Sequence, residues 1–212
     1  MSPEQPHVGD KPVAEACLRN QQAIFDTIIR HYPQQARVFE IGTGTGQHGA
    51  HFLKNRPDLF WHGSDLEETL VGARLWLQEL GADDNWTLSV LNVNRRDQWP
   101  QAHTYDRVYM ANTLHFVSEI TAVNMLECAR HAIGSSGVIH IYGPFNRNGR
   151  YTSEGNRQLD AWLQTRDPTS GIKDLAWVGE QARRTGLRLS VEHNMPANNL
   201  CLELIPEEQA TP

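Results

Sequence analysis

Apolar residues recur along this chain in two alternating rhythms, helical spacing and short unbroken runs, and the alternation predicts its elements. Cys17, Ile24, Phe25, Ile28 and Ile29 fall at helical spacing, which predicts a first helix over about 14–31. Arg37-Val38-Phe39-Glu40-Ile41 is a β-branched and aromatic run ending at glycine, the mark of a strand. Helical spacing resumes through His48, Phe52 and Leu53 until Pro57 stops it. Leu59 to Gly63 is a second strand. The helix after it draws an apolar stripe from Leu66, Leu70, Ala73, Leu77 and Leu80 and stops at Gly81. Trp86 to Val93 and Arg107 to Ala111 follow as strands. Val123, Leu126, Cys128 and Ile133 line a helix ending at Gly134, and Val138 to Tyr142 is a further strand.

Strands alternating with helices of this length imply parallel β-α-β units with helices on both faces of one sheet. The final third departs from that rhythm. A polar stretch from Gly143 to Gly155 leads into helices near 156–165 and 173–185. Leu187 to Val191 and Leu200 to Leu204 then read as strands separated by eight residues, too few for a crossover helix. That pair is expected to be an antiparallel hairpin. Residues 1–13 are polar and proline-containing, expected to be loose or draped over the fold.

A length of 212 residues fits one domain over 1–212, large enough to bury a core without metal or disulfide help. The formal net charge is −6, with Lys and Arg scattered, which argues against a nucleic-acid backbone as main partner. Cys17, Cys128 and Cys201 lie far apart with no C-x-x-C pair, so inert thiols in a reducing compartment are expected. The opening Met1-Ser-Pro-Glu-Gln-Pro lacks the basic and apolar runs of a signal peptide, and no apolar stretch approaches a membrane-spanning length. The expectation is a cytoplasmic protein with a small-molecule substrate and no nucleic-acid or membrane partner, acting as a monomer or homodimer.

Gly42, Gly44 and Gly46 sit where the first strand turns into a helix, a place where missing Cβ atoms let a ligand approach the backbone. The spacing is G-x-G-x-G. Gln47 stands where the third glycine of a dinucleotide-binding loop would be, and no P-loop pattern exists, so a cofactor without phosphate is favoured. Asp65 follows the second strand, where a carboxylate can accept both hydroxyls of a ribose; the other reading is a helix cap, since Ser64 and Asp65 complete capping boxes with Glu67 and Glu68. Asn92 ends the third strand, either to bond an adenine edge or to make a turn. Asn112-Thr113-Leu114-His115 follows the fourth strand. All four positions converge on one carboxyl edge of the sheet, where open α/β folds bind ligands.

At these residues the chain resembles class I S-adenosylmethionine (SAM)-dependent methyltransferases. Glu40 to Gly46 matches their first motif, Asp65 the acidic end of their second strand, and Asp106 to Asn112 their fourth-strand motif. The resemblance implies a Rossmann-like α/β doubly wound sheet of seven strands, mostly parallel with an antiparallel last strand, in the order 3-2-1-4-5-7-6. A narrower similarity covers nearly the whole chain. Tyr142-Gly143-Pro144-Phe145, Arg166-Asp167-Pro168 and Met195-Pro196-Ala197-Asn198-Asn199 are similar to a methyltransferase-like family still labelled a domain of unknown function. Asn92 departs from the wider pattern, where aspartate is common, but an amide also bonds adenine.

The resemblance implies SAM as cofactor, with S-adenosylhomocysteine as product, held by Glu40, Gly42, Thr43, Gly44, Gly46, Asp65, Leu66, Asn92, Val93 and Asn112. Glu40 orients either the cofactor's amino end or the loop itself. His115 is the candidate base or substrate contact, unless it simply bonds nearby backbone. Tyr142 is a second catalytic candidate, or else core or pocket wall. Arg166 either clamps a substrate carboxylate or pairs internally with Asp167 or Asp174. Asn198 and Asn199 are substrate amides or turn chemistry, and Asn20, Asn156 and Asp160 complete the candidate substrate set. His48 and His51, three apart on one helix, lack the company of a metal site, so no metal is expected. Six tryptophans, Trp61, Trp76, Trp162 and Trp177 among them, are expected in the core and helix packing. The favoured function is methyl transfer to N, O or S of a small molecule. A non-catalytic SAM-binding sensor or scaffold is the alternative; a nicotinamide oxidoreductase is disfavoured by the missing glycine and the closing hairpin.

Overall fold

The computed structural model describes residues 11–81 and 85–207. Seven strands form its centre: β1 Arg37–Ile41, β2 Phe60–Asp65, β3 Trp86–Val90, β4 Tyr105–Ala111, β5 Ile133–Pro144, β6 Leu187–Met195 and β7 Asn199–Pro206. They lie in the order β3-β2-β1-β4-β5-β7-β6. Pairing is parallel from β3 through β5, whereas β7 runs against both β5 and β6. This is the seven-stranded, Rossmann-like arrangement expected. Six helices connect the strands: α1 Glu15–Ile28, α2 Gln47–Asn55, α3 Leu70–Gln78, α4 Glu119–Ala132, α5 Glu154–Arg166 and α6 Leu175–Arg184.

After Arg37 every residue of β1 is buried, as a central strand covered on both faces must be. Side chains alternate between two cores. Phe39, Ile41, Val108, Met110, Ile139 and Ile141 pack against Met125 and Leu126 of α4 and Val178 and Ala182 of α6. On the other face Val38, Trp61 and Tyr109 meet Ile24 and Ile28 of α1, Phe52 and Leu53 of α2, and Leu77 of α3. Each large apolar side chain so buried contributes roughly 1.5–3 kcal/mol of transfer free energy. No helix among the described residues is long and apolar enough to cross a membrane. The three cysteines are free, and burial pushes Cys128 and Cys201 up to about 12, which keeps those thiols inert.

Several boundaries differ from the periodicity. The first helix closes in a 3-10 turn, Ile29–His31, because Tyr32 precedes a proline and is extended. The third begins at Leu70 instead of Leu66: Leu70, Ala73 and Leu77 are buried, whereas Leu66 and Leu80 are 45% and 36% exposed. Ser64 and Asp65 do not cap it. Ser64 stays in β2 with its hydroxyl on the Glu40 carbonyl, and the Thr69 N-cap makes no side-chain bond. Ile133 opens β5 instead of closing α4, pairing with Tyr105. Trp162 lies on the surface, 47% exposed, and is no core residue. Ahead of α1, Lys11 sits 4.0 Å over the Trp76 ring, and the Pro12 carbonyl accepts from Trp76 Nε1 at 2.7 Å. The segment is draped on α3 there; the rest of the 1–13 expectation, residues 1–10, lies outside the described residues.

Candidate functional site

The β1–α2 turn and the ends of β2, β3, β4 and β5 meet at one edge of the sheet. The N–H groups of Gly42 and Thr43 both donate to the Ser64 carbonyl, at 2.8 and 3.0 Å, which lashes the turn to β2. Gly46 caps α2 at φ 80°, and a Cβ there would lie 2.7 Å from the Ala73 backbone. Glycine is needed because α3 passes directly against it. Gly44 differs: its φ is +55°, yet a Cβ would meet nothing within 4 Å. The backbone there borders open space, and its N–H donates to Asp65 Oδ2 at 2.8 Å. Asp65 Oδ1 accepts from the Leu66 N–H at 2.8 Å. Those two bonds turn residues 65 and 66 toward the loop and delay the start of α3.

Glu40 lies beneath the turn, 1% exposed. Its Oε2 accepts from Thr43 Oγ1 at 2.6 Å and from Trp61 Nε1 at 2.8 Å. Burial pushes its carboxyl up to about 7, against those two bonds and with the Asp65 charge adding to the rise. Glu40 therefore holds the loop directly, through Thr43. Burial likewise raises Asp65, opposed by the Gly44 and Leu66 N–H groups.

Beyond Asp65, Leu66 presents an exposed apolar side chain, while Val93 is 8% exposed. Asn92 makes a turn: Oδ1 accepts from the Asn94 N–H at 3.0 Å, which leaves the amide nitrogen as its outward donor. Asn112 is left-handed at φ 54°, a conformation asparagine tolerates, and its N–H bonds the Tyr142 carbonyl at 2.8 Å. The structure thus brings the predicted cofactor set to one edge.

His115 is buried on a 3-10 turn, Leu114–Phe116, after β4. Burial lowers its imidazole to about 4, aided by the Lys173 charge and opposed by Asp160, so the ring is neutral near pH 7. Among the described residues its ring makes no hydrogen bond to backbone; its carbonyl accepts the Gly171 N–H at 3.0 Å. Tyr142 lies within the buried run of β5, which continues to Pro144, and packs in the core; its hydroxyl accepts from Asn199 Nδ2 at 2.9 Å. Asn20 of α1 stands beside the same phenol, with its Oδ1 2.8 Å from His48 Nε2. His51 turns away and meets Phe25 edge-on, so the two histidines do not converge.

The remaining candidates separate. Asp160 is buried and occupied: Oδ1 accepts the Ile172 N–H at 2.6 Å, and Oδ2 accepts Tyr151 Oη at 2.8 Å and Gln164 Nε2 at 3.0 Å. Its bonds hold the loop after α5. Asn156 is buried, with Nδ2 on Thr152 Oγ1 at 2.9 Å. Arg166 makes neither anticipated ion pair; its guanidinium lies 4.9 Å over the exposed Trp162 ring. Asp167 bonds Thr169, and Asp174 caps α6. Asn198 is exposed at φ 58° in the β6–β7 turn. Lys173 escaped the sequence reading: it is 6% exposed, and its Nζ donates to the carbonyls of Val117 at 2.6 Å and Gly171 at 2.9 Å. It ties the His115 segment to the loop before α6. Nothing in its neighbours' residue types announces burial, because both partners are backbone.

Several solved structures share this fold. An O-methyltransferase family protein from Burkholderia thailandensis superposes with a TM-score of 0.80 at 17% identity, over 91% of this chain and 58% of that one. A putative O-methyltransferase from Nostoc punctiforme PCC 73102 gives 0.77 at 17%, over 90% and 56%. An O-methyltransferase from neocarzinostatin biosynthesis, solved with SAM and 2-hydroxy-5-methyl naphthoic acid, gives 0.69 at 20%, over 91% and 60%. The chain spans less than two thirds of each, and at these identities the likeness is one of fold, a methyltransferase-like one. Residues 11–204 match the family described as "Protein of unknown function (DUF938)", and the chain belongs to that family.

Proposed function

We propose that this chain is a SAM-dependent methyltransferase acting on a small-molecule acceptor. The observation that carries the reading is the Asp65 carboxylate fixed on the Gly44 N–H, where the loop backbone borders open space. The residues present fit the cofactor. Each Asp65 oxygen takes one N–H and keeps capacity for a ribose hydroxyl. The Asn92 amide nitrogen is a donor for an adenine edge, and Leu66 offers an exposed apolar side chain after β2, while Val93 packs into the core. Glu40 acts on the loop through Thr43.

When bound, SAM supplies a methyl group already activated on a sulfonium. What the chain adds is alignment of the acceptor and exclusion of water. His115, buried and neutral, can accept a hydrogen bond from an acceptor hydroxyl or amine and orient it. The fold likeness adds support: the neocarzinostatin enzyme was solved with SAM, and a calicheamicin methyltransferase with S-adenosylhomocysteine bound.

Calorimetry with SAM and S-adenosylhomocysteine tests the reading. Wild type is expected to bind in the micromolar range, about 8 kcal/mol. Asp65→Ala removes the ribose acceptor, and Gly44→Val puts a β-branched side chain at a positive φ over the cradle. Each is expected to weaken binding by roughly a hundredfold or more. Failure of the wild-type protein to bind either compound would sink the assignment and leave only the fold.

A further inference from the structure

A cavity of about 360 Å³ opens between the end of β5 and the β6–β7 turn. Phe145, Met195 and Leu200 give it apolar walls, and Thr152, Asn198 and Asn199 give it polar ones. That volume sits at the small end of the range for small-molecule pockets and is too little for a folded partner or a nucleic-acid segment. The charge inventory is more selective still. Arg147 is the one charged residue among those lining the cavity, and its Nη2 is already 2.6 Å from Glu192 Oε2. An ionic ligand would find no unpaired countercharge and would lose its hydration for nothing. Amides and a hydroxyl suit a ligand that both donates and accepts hydrogen bonds.

Asn199 lines this cavity and donates from Nδ2 to Tyr142 Oη at 2.9 Å and to the Pro196 carbonyl at 3.3 Å. Tyr142 is itself buried and reaches the cavity only through that amide, whose orientation it fixes.

We propose that the methyl acceptor is a small uncharged molecule bound in this cavity, with the side-chain amides of Asn198 and Asn199 hydrogen-bonding its oxygen or nitrogen atoms. The role as acceptor rests on the methyltransferase reading; the cavity as a binding site does not. Tyr142 is a positioning residue here, acting through its bond with Asn199.

The test uses the full chain labelled with [methyl-13C]methionine. Met195 lines the cavity, while Met110 and Met125 lie in the core and serve as internal references. Three fragment sets are titrated: uncharged phenols, alcohols and amides; carboxylates; and amines. Uncharged fragments are expected to shift the Met195 signal saturably. Asn198→Gly, which keeps the left-handed turn and deletes the amide, should weaken them about tenfold, and Tyr142→Phe, which releases the Asn199 amide, should weaken them about threefold. Hits drawn mainly from the carboxylates, with Arg147 released from Glu192, would overturn the uncharged class. Absence of any fragment that moves Met195 would overturn the cavity. S-adenosylhomocysteine binding is measured on the same sample. If it fails while uncharged fragments still move Met195, the acceptor role falls and the binding site stands. If it succeeds and no fragment moves Met195, the cofactor reading survives without this cavity.

Discussion

At the residue scale the site turns on one buried carboxylate. Glu40 carries two hydrogen bonds on a single oxygen, and Trp61, 1% exposed, supplies one of them from the neighbouring strand. Trp61→Phe keeps an aromatic ring but leaves that oxygen with the Thr43 bond alone and opens a small void, so a loss of about 1–3 kcal/mol is expected in urea unfolding at neutral pH. Because Glu40 is raised from 4.5 to about 7, the folded protein holds a proton there that the unfolded chain has released. Its contribution is full below pH 4.5 and is lost as pH rises through 7. Glu40→Gln removes that titration. The stability difference between wild type and variant should therefore swing in favour of the variant as pH climbs from 4.5 to 7, then level off. A difference flat across that span would mean that Glu40 ionises freely in the folded protein.

At the element scale, the ends of helices decide which residues reach the site. Asp174 Oδ1 accepts the Ala176 N–H at 2.9 Å to cap α6, and its Oδ2 accepts the Gly149 N–H at 2.7 Å across the preceding loop. Ser153 caps α5 with one bond, to the Asn156 N–H at 3.0 Å. Asp174→Ala should accordingly cost more than Ser153→Ala, about 2 kcal/mol against about 1. It should also speed hydrogen exchange around 147–150, which Ser153→Ala leaves alone. The strands and most helices were legible because burial on two faces imposes its pattern directly, as in β1. What escaped was decided by polar contacts between distant segments. Leu66 sits at helical spacing with Leu70 and Ala73, yet the Asp65 carboxylate, held by the Gly44 N–H of the loop, accepts the Leu66 N–H and keeps it out of α3. Ile133 fits the stripe of α4 but finds a parallel partner in Tyr105. The glycine spacing announced the β1–α2 turn because it is local in sequence. The Tyr142–Asn199 bond joins residues 57 apart, and the pairing of Lys173 with two carbonyls has no sequence mark at all.

At the scale of the whole molecule, several titratable groups are buried uncharged. Glu40, Tyr109 and His140 stand side by side across β1, β4 and β5 by strand register. Burial lowers His48, His62 and His115 each to about 4 and His140 to about 3, from 6.5. For each, the unfolded chain binds a proton that the folded protein refuses, so the contribution is present above pH 6.5 and lost as pH falls through 4. Glu40 acts with the opposite sign over 4.5 to 7 and offsets one histidine. Each uncompensated proton weighs about 1.4 kcal/mol per pH unit, so the histidines outweigh it. The chain should lose several kcal/mol between pH 6.5 and 4. Urea midpoints across that interval at fixed ionic strength measure the fall. His115→Gln should flatten it by about one proton, because a neutral amide replaces a ring that never charges in the folded state. Glu40→Gln should steepen it by removing an opposing group. If His115→Gln left the slope untouched, the imidazole would have to titrate in the folded protein as it does in the unfolded chain, and burial would not be holding it neutral.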